Sequence, residues 1–352
     1  MGGVQTVAAV VDLQIGNVLG EGPESFGYIG GVLADSEGRI LVVDYQANEV
    51  RVFDSLGVFQ FAFGREGSGP EEFRGPCCLA FGPGGKLWVR DGGNHRYSAF
   101  AFGQTGVDAV STLEMVHSDV NFMAPVTFTE SGQLIDVGHR PSSSGGRSLV
   151  RFELPAIGQA LDSTIVPSPD PNEIGEFSVT REGASGQSQY FFYQPFSPRH
   201  LVAHGPSGRW ASGIGSTYSL RLHVGLATHT IEGETVPVPL SESERERAEQ
   251  RIEADAARAG KRPGQLPYGV PAAKPPIWAA FFDSAGRLWV EKNVIDGSPR
   301  VADLWDEDGA LVKRVEWPAD ISLEPPAWVG EDWGLGIRRD SLGVQYIARV
   351  RF

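Results

Sequence analysis

Disulfide chemistry is almost missing from this 352-residue chain, whose two cysteines, Cys77 and Cys78, are neighbours. Adjacent thiols either close into a strained vicinal bridge or sit reduced as small buried residues on a strand, so a disulfide scaffold is excluded. No Cys/His spacing fits a structural zinc site. Lysine is scarce too: Lys86, Lys261, Lys274, Lys292 and Lys313 are the whole set. With 30 basic against 44 acidic residues the net charge is −14, which repels polyanions and argues against nucleic acid as a partner. No apolar run approaches the ~18 residues of a membrane span. The start, MGGVQTVAAVVDLQ, lacks the basic and long apolar regions of a signal peptide. There is no G-x-S-x-G elbow, no H-E-x-x-H and no Walker-type loop, and the glycines at 64–69 read as a turn.

What the chain has in quantity is turn and core material: 45 glycines, 24 prolines and 41% hydrophobic residues. A glycine-marked turn feeding a short apolar strand recurs in EGRILVVD (37–44), PGGKLWVRD (83–91), ESGQLIDVG (130–138), PSGRWASG (206–213) and SAGRLWVEK (284–292). Gly38, Gly85, Gly132, Gly208 and Gly286 are spaced 47, 47, 76 and 78 residues apart. That period suits four strands per unit, the signature of propeller blades. The two long intervals hold a Pro/Ser/Gly-rich excursion (141–148 and 155–189) and a charged segment (241–276). Within units, NEVRVFD turns at Asp54–Gly57 into VFQFAFG, and VADLWDEDG turns at Asp308-Gly309 into ALVKRVEW. The last strands, 333–352, make no complete blade, and the N-terminal 6–15 is expected to supply the missing outer strand and close the ring. The expectation is an all-β, six-bladed β-propeller of four-stranded antiparallel blades, seven if 155–189 hides a further unit, with residues 1–352 forming a single domain.

The stretch FGREGSGPEEFRGP followed by GKLWVRDGGNHRYSAF resembles an NHL repeat, and the chain resembles bacterial six-bladed propellers built from degenerate NHL-like units. The resemblance is carried by residues 15–105 and 277–352. It implies a six-bladed ring, usually exported, and so an extracytoplasmic protein whose signal has been removed; the start as it stands suits a cytoplasmic one. It implies no single chemistry, because relatives include docking modules, lactonases, strictosidine-synthase-like enzymes and amidating lyases. LGEGP (19–23) is similar to the metal-binding start of gluconolactonase-type propellers, but Glu21 lies too far ahead of the first strand turn, and reads as a loop residue. The seven histidines do not recur in equivalent loops as a three-histidine zinc site requires.

SESERERAEQRIEADAARAG (241–260) reads as the one helix, inserted between the fourth and fifth blades. Ser241 and Glu244 make a capping box, Gly260 and Pro263 the stop, and Ala248, Ile252, Ala256 and Ala259 a narrow apolar stripe. It is either rim decoration or a lid. Propeller chemistry gathers in the loops that follow inner strands, and the glycine-marked apolar strands read as those inner strands. Asp44, Asn48, Asp91 and Asn94 fit turn chemistry, as do His95 and Arg96. His139, Arg140, Arg199 and His200 stand off the repeat, and adjacent blades should bring them to one axial mouth. That positive mouth would suit a carboxylate, an oxyanion or an anionic glycan, with His as base and Arg as oxyanion stabiliser in any reaction. Three readings follow: a monomeric propeller binding a small molecule, glycan or protein; a hydrolase or lyase with an axial His/Arg site or a divalent metal at the ring axis; or a docked structural subunit.

Overall fold

The glycine turns that mark the repeat are left-handed in the structure, with φ of 79° at Gly38, 71° at Gly85, 86° at Gly132, 78° at Gly208 and 82° at Gly286. Only glycine adopts this without penalty. In several turns an aspartate completes the reversal: Asp35 Oδ1 accepts from the Glu37 and Arg39 amides, and Asp283 Oδ1 from those of Ala285 and Arg287. The same device sits between outer strands at Asp54 and Asp306. The computed structural model describes residues 4–18, 20–115, 125–141, 147–154, 162–183 and 186–352.

The chain is a six-bladed β-propeller. Blade one is Ile29–Ala34, Ile40–Asp44, Glu49–Phe53 and Phe59–Phe63, from the axis outward. Its second strand is buried at every position and its fourth alternates, the pattern of a strand between neighbours and a strand at an edge. Blade two runs from Pro76–Phe81 to Val107–Glu114, blade three from Thr127–Phe128 to Asp162–Ile165, blade four from His200–His204 to Ala227–Glu232 and blade five from Ile277–Phe282 to Leu311–Trp317. In blade six the inner strand is broken into Ile321–Ser322 and Trp328–Val329, both paired with Trp333–Arg339. Gln345–Arg351 follows, and Val10–Ile15 pairs with it as the outer strand. The N-terminal segment thus closes the ring as expected, and it is shared: Thr6–Ala8 lies parallel to the outer strand of blade five.

Apolar clusters fill the seams between blades, as where Trp289 and Trp317 of blade five meet Ala348 and Val350 of blade six. The helix spans Glu242–Ala259, with both the Ser241 capping box and the left-handed Gly260 as read from the sequence. Ile252, Ala256 and Ala259 pack on Val179 and Phe192 of the hairpin Glu176–Gly183/Gly186–Tyr193. Among the described residues the long excursion therefore carries a two-stranded hairpin that the helix covers, not a seventh blade; part of it, 142–146, 155–161 and 184–185, lies outside them.

One expectation needs correction. The apolar strands after the glycine turns are second strands; the innermost are the strands before those turns, such as Ile29–Ala34 and His200–His204. All inner strands run the same way along the axis, so the loops that follow second strands lie at the end where inner strands begin.

Candidate functional site

The second halves of the inner strands, with the turns after them, enclose a cavity of about 740 Å³ on the axis. Its wall is mostly apolar, including Leu33, Phe81, Phe128, Phe282 and Trp328, and the room comes from small residues such as Ala80 and Ala203. Gly205 is required here, since a Cβ would stand 2.5 Å from the Phe282 ring.

The acids at this end are already engaged. Asp35 holds turn amides and Arg39 at 2.6 Å, while Asp283 holds turn amides, Arg287 at 2.7 Å and the Trp289 indole at 3.1 Å. His204, the last residue of its strand, differs: it is 4% exposed, lines the cavity, and neither ring nitrogen has a protein partner. Burial, aided by the charge of Arg151, pushes its pKa down to about 3, so the ring is neutral and presents one N–H donor and one acceptor. An unmet buried polar group costs about 1–3 kcal/mol, which a ligand's hydrogen bond would recover.

Cys78 is also on the cavity wall. Both sulfurs are buried thiols beside Arg90, which pairs with Asp136; the Tyr97 hydroxyl donates to the same carboxylate.

The four residues picked from the sequence stand at the opposite end, where inner strands begin. His139 and Arg140 lie near the end of Leu134–Pro141, while Arg199 and His200 open the fourth inner strand. Arg140 stacks over Phe152 and donates to Ser163 on the outer strand of its own blade. Arg199 stacks over Trp278 and donates to Glu324 at 3.1 Å. Burial lowers the His200 pKa, offset in part by a hydrogen bond to the Pro167 carbonyl. Among the described residues no hydrogen bond or ring contact joins the four to one another.

Two carboxylates accompany Arg199. Glu324 also accepts from the Trp278 indole at 3.1 Å. Glu291 accepts from Arg300 at 2.8 Å through Oε1, its buried Oε2 has no partner, and burial pushes its pKa up to about 7, with Glu324 adding to the rise and Arg300 opposing it. Glu291 stands in the repeat, but nothing in SLEPPAW marks Glu324. Among the described residues no group of three His, Cys, Asp or Glu side chains is placed to hold a metal ion. The residues assigned to turn chemistry do that work: Asp44 accepts from the Gly27, Tyr28, Gln46 and Ala47 amides, Asp91 from Arg74, and Asn48 from Gly75.

A sequence profile for a family described as 6-bladed beta-propeller matches residues 24–76. No curated protein matches the chain in sequence. Among solved structures, a candidate exported protein of Bacteroides fragilis is similar with a TM-score of 0.53 at 9% identity, covering 99% of both chains. Virginiamycin B lyase of Staphylococcus aureus gives a TM-score of 0.42 at 10% identity over 93% of this chain and 96% of its own. The calcium-binding protein regucalcin of Agrobacterium tumefaciens gives 0.42 at 12% identity over 99% and 96%. At such identities the likeness is one of fold. Among the described residues no helix is long and apolar enough to cross a membrane.

Proposed function

We propose that this propeller is a binding protein whose axial cavity takes a small, largely apolar molecule carrying one hydrogen-bonding group. The observation that carries this reading is His204, a neutral imidazole buried in a mostly apolar cavity with both nitrogens unpartnered. A wall of this kind supplies affinity through area and direction through one polar contact. The chain acts as one domain and one copy, and its place outside the cytoplasm rests on the resemblance to exported rings alone.

The test is calorimetry with a panel of small amides, alcohols and lactones against wild type, His204→Leu and the cavity-filling Ala203→Phe. A ligand that binds wild type should bind His204→Leu roughly tenfold more weakly, as one hydrogen bond predicts, and Ala203→Phe not at all. Binding indifferent to both changes would overturn the reading.

A second reading, a hydrolase or lyase at the other end, has its own support in Glu291. A carboxyl group that titrates near neutrality beside Arg199 and Arg300 has the properties of a general acid or base with cationic neighbours. In that reading His139, Arg140 and His200 contribute to the same mouth. Turnover of an ester or lactone that Glu291→Gln abolishes and His204→Leu leaves intact would select it.

A further inference from the structure

Neighbouring side chains on a regular strand point to opposite faces. Cys77 and Cys78 do not, because Cys78 has a φ of 59° and the pairing with Leu87–Asp91 slips between Cys77 and Leu79. Both sulfurs consequently approach one guanidinium nitrogen, Arg90 Nη1, at 3.8 and 3.2 Å. A left-handed conformation costs a non-glycine residue on the order of 1 kcal/mol or more, so the strand holds the two thiols together at some expense. Arg90 is fixed in turn by its buried pair with Asp136. The Cys78 thiol donates to Cys77 and, with the Arg90 charge, holds the Cys77 pKa below the usual thiol range, while burial pushes that of Cys78 up; the pair thus carries its first negative charge readily and its second with difficulty.

We propose that Cys77 and Cys78 form a redox site in the cavity wall that exchanges with a small, uncharged disulfide, closing to a vicinal disulfide and reopening with a thiol. Cys78 lines the cavity and Cys77 lies behind it, 1% exposed, so the incoming disulfide meets Cys78 first. After the pair loses one proton, the proton that remains passes from the Cys78 sulfur to Cys77 along the hydrogen bond between them, and the Cys78 thiolate attacks one sulfur of RSSR, forming a mixed disulfide and releasing RS⁻. Cys77 gives its proton to that RS⁻ and attacks the Cys78 sulfur, expelling the second RS⁻, which takes up the proton lost at the start. Two protein thiols and RSSR become one protein disulfide and two RSH. Consecutive Cα atoms stand about 3.8 Å apart, below the ~4.4 Å lower end of ordinary bridges, so the closed form is strained and easily reduced. A largely apolar wall and a net charge of −14 favour an uncharged reactant over an anionic one.

The experiment treats the folded full-length chain with hydroxyethyl disulfide, quenches with acid and reads the intact mass. Wild type should lose two hydrogens, retain no adduct and recover both thiols in dithiothreitol. Cys77→Ser should instead accumulate a mixed disulfide on Cys78, and Cys78→Ser should react at least about tenfold more slowly. Two outcomes overturn the proposal: a folded wild type that keeps both thiols under conditions that oxidise the guanidinium-unfolded chain, or a wild type that stops at a stable adduct. The wild-type mass decides the matter even if a serine variant fails to fold, and none of these outcomes depends on which ligand the cavity binds.

Discussion

The two ends of the axial channel are made from the two ends of the same inner strands, and they handle buried polarity differently. Where the strands begin, Arg199 meets Glu324 and Trp278, and Arg300 meets Glu291, so most charge is answered within the protein. Where the strands end, the acids are absorbed by turn amides and arginines, and among the described residues His204 is left with both ring nitrogens, and Thr127 with its hydroxyl, open in the mostly apolar wall. Groups that satisfy one another hold blades together. A buried donor and acceptor with no internal partner ask for something from outside.

The largest effect should come from removing what both ends share, the closed ring. Deleting residues 4–15 strips the outer strand of blade six and the added strand of blade five, and should lower the melting temperature by about 10 °C or more. An unchanged melt would show that neither end depends on closure.

The second prediction separates the ends by pH. The Glu291 pKa is raised from 4.5 to about 7, so the folded chain binds an extra proton between those values; its favourable contribution is complete below 4.5 and is lost as pH rises through 7. His204 is lowered from 6.5 to about 3, so here the unfolded chain binds the extra proton; its contribution is complete above 6.5 and is lost as pH falls toward 3. Urea unfolding should therefore find Glu291→Gln more stable than wild type at pH 9, on the order of 2–3 kcal/mol, with no such gain at pH 4. His204→Phe should show its relative gain at pH 4. Parallel pH profiles for the two variants would erase the distinction.

The smallest effect belongs to the half-exposed pair at the strand-start end. Glu324→Gln should cost less than about 1 kcal/mol, because Arg199 can turn to solvent, and should leave cavity binding unchanged. A large loss in chemical denaturation would place more of the ring's stability in that pair than its exposure suggests.

The blades could be read because their turns are local chemistry. Gly38 and Gly286 need left-handed backbone whatever surrounds them, and Asp35 or Asp283, three residues before, binds amides within the same turn. The site could be read only in part. His204 stands in the same strand as His200, but the glycine-marked strands read as the inner ones, and the loops after those point to the opposite mouth. Its significance comes from burial and missing partners, both products of blades that meet far apart in sequence. Glu324 sits beside Arg199 only because the inner strand of blade six is broken around Pro325 and Pro326. No local pattern encodes that.

The pairing of Val10–Ile15 with Gln345–Arg351 joins strands from opposite ends of the propeller's sequence. Until the C-terminal residues emerge, the opening segment has no antiparallel partner, and blades one to five must assemble while it waits. Contacts of such sequence separation carry the largest loop-closure cost and form late. An unfinished ring therefore exposes two open strand edges, its own best template for pairing with another nascent copy. The speed of that final stitch, more than the strength of any blade, sets how safely the chain is made at high concentration.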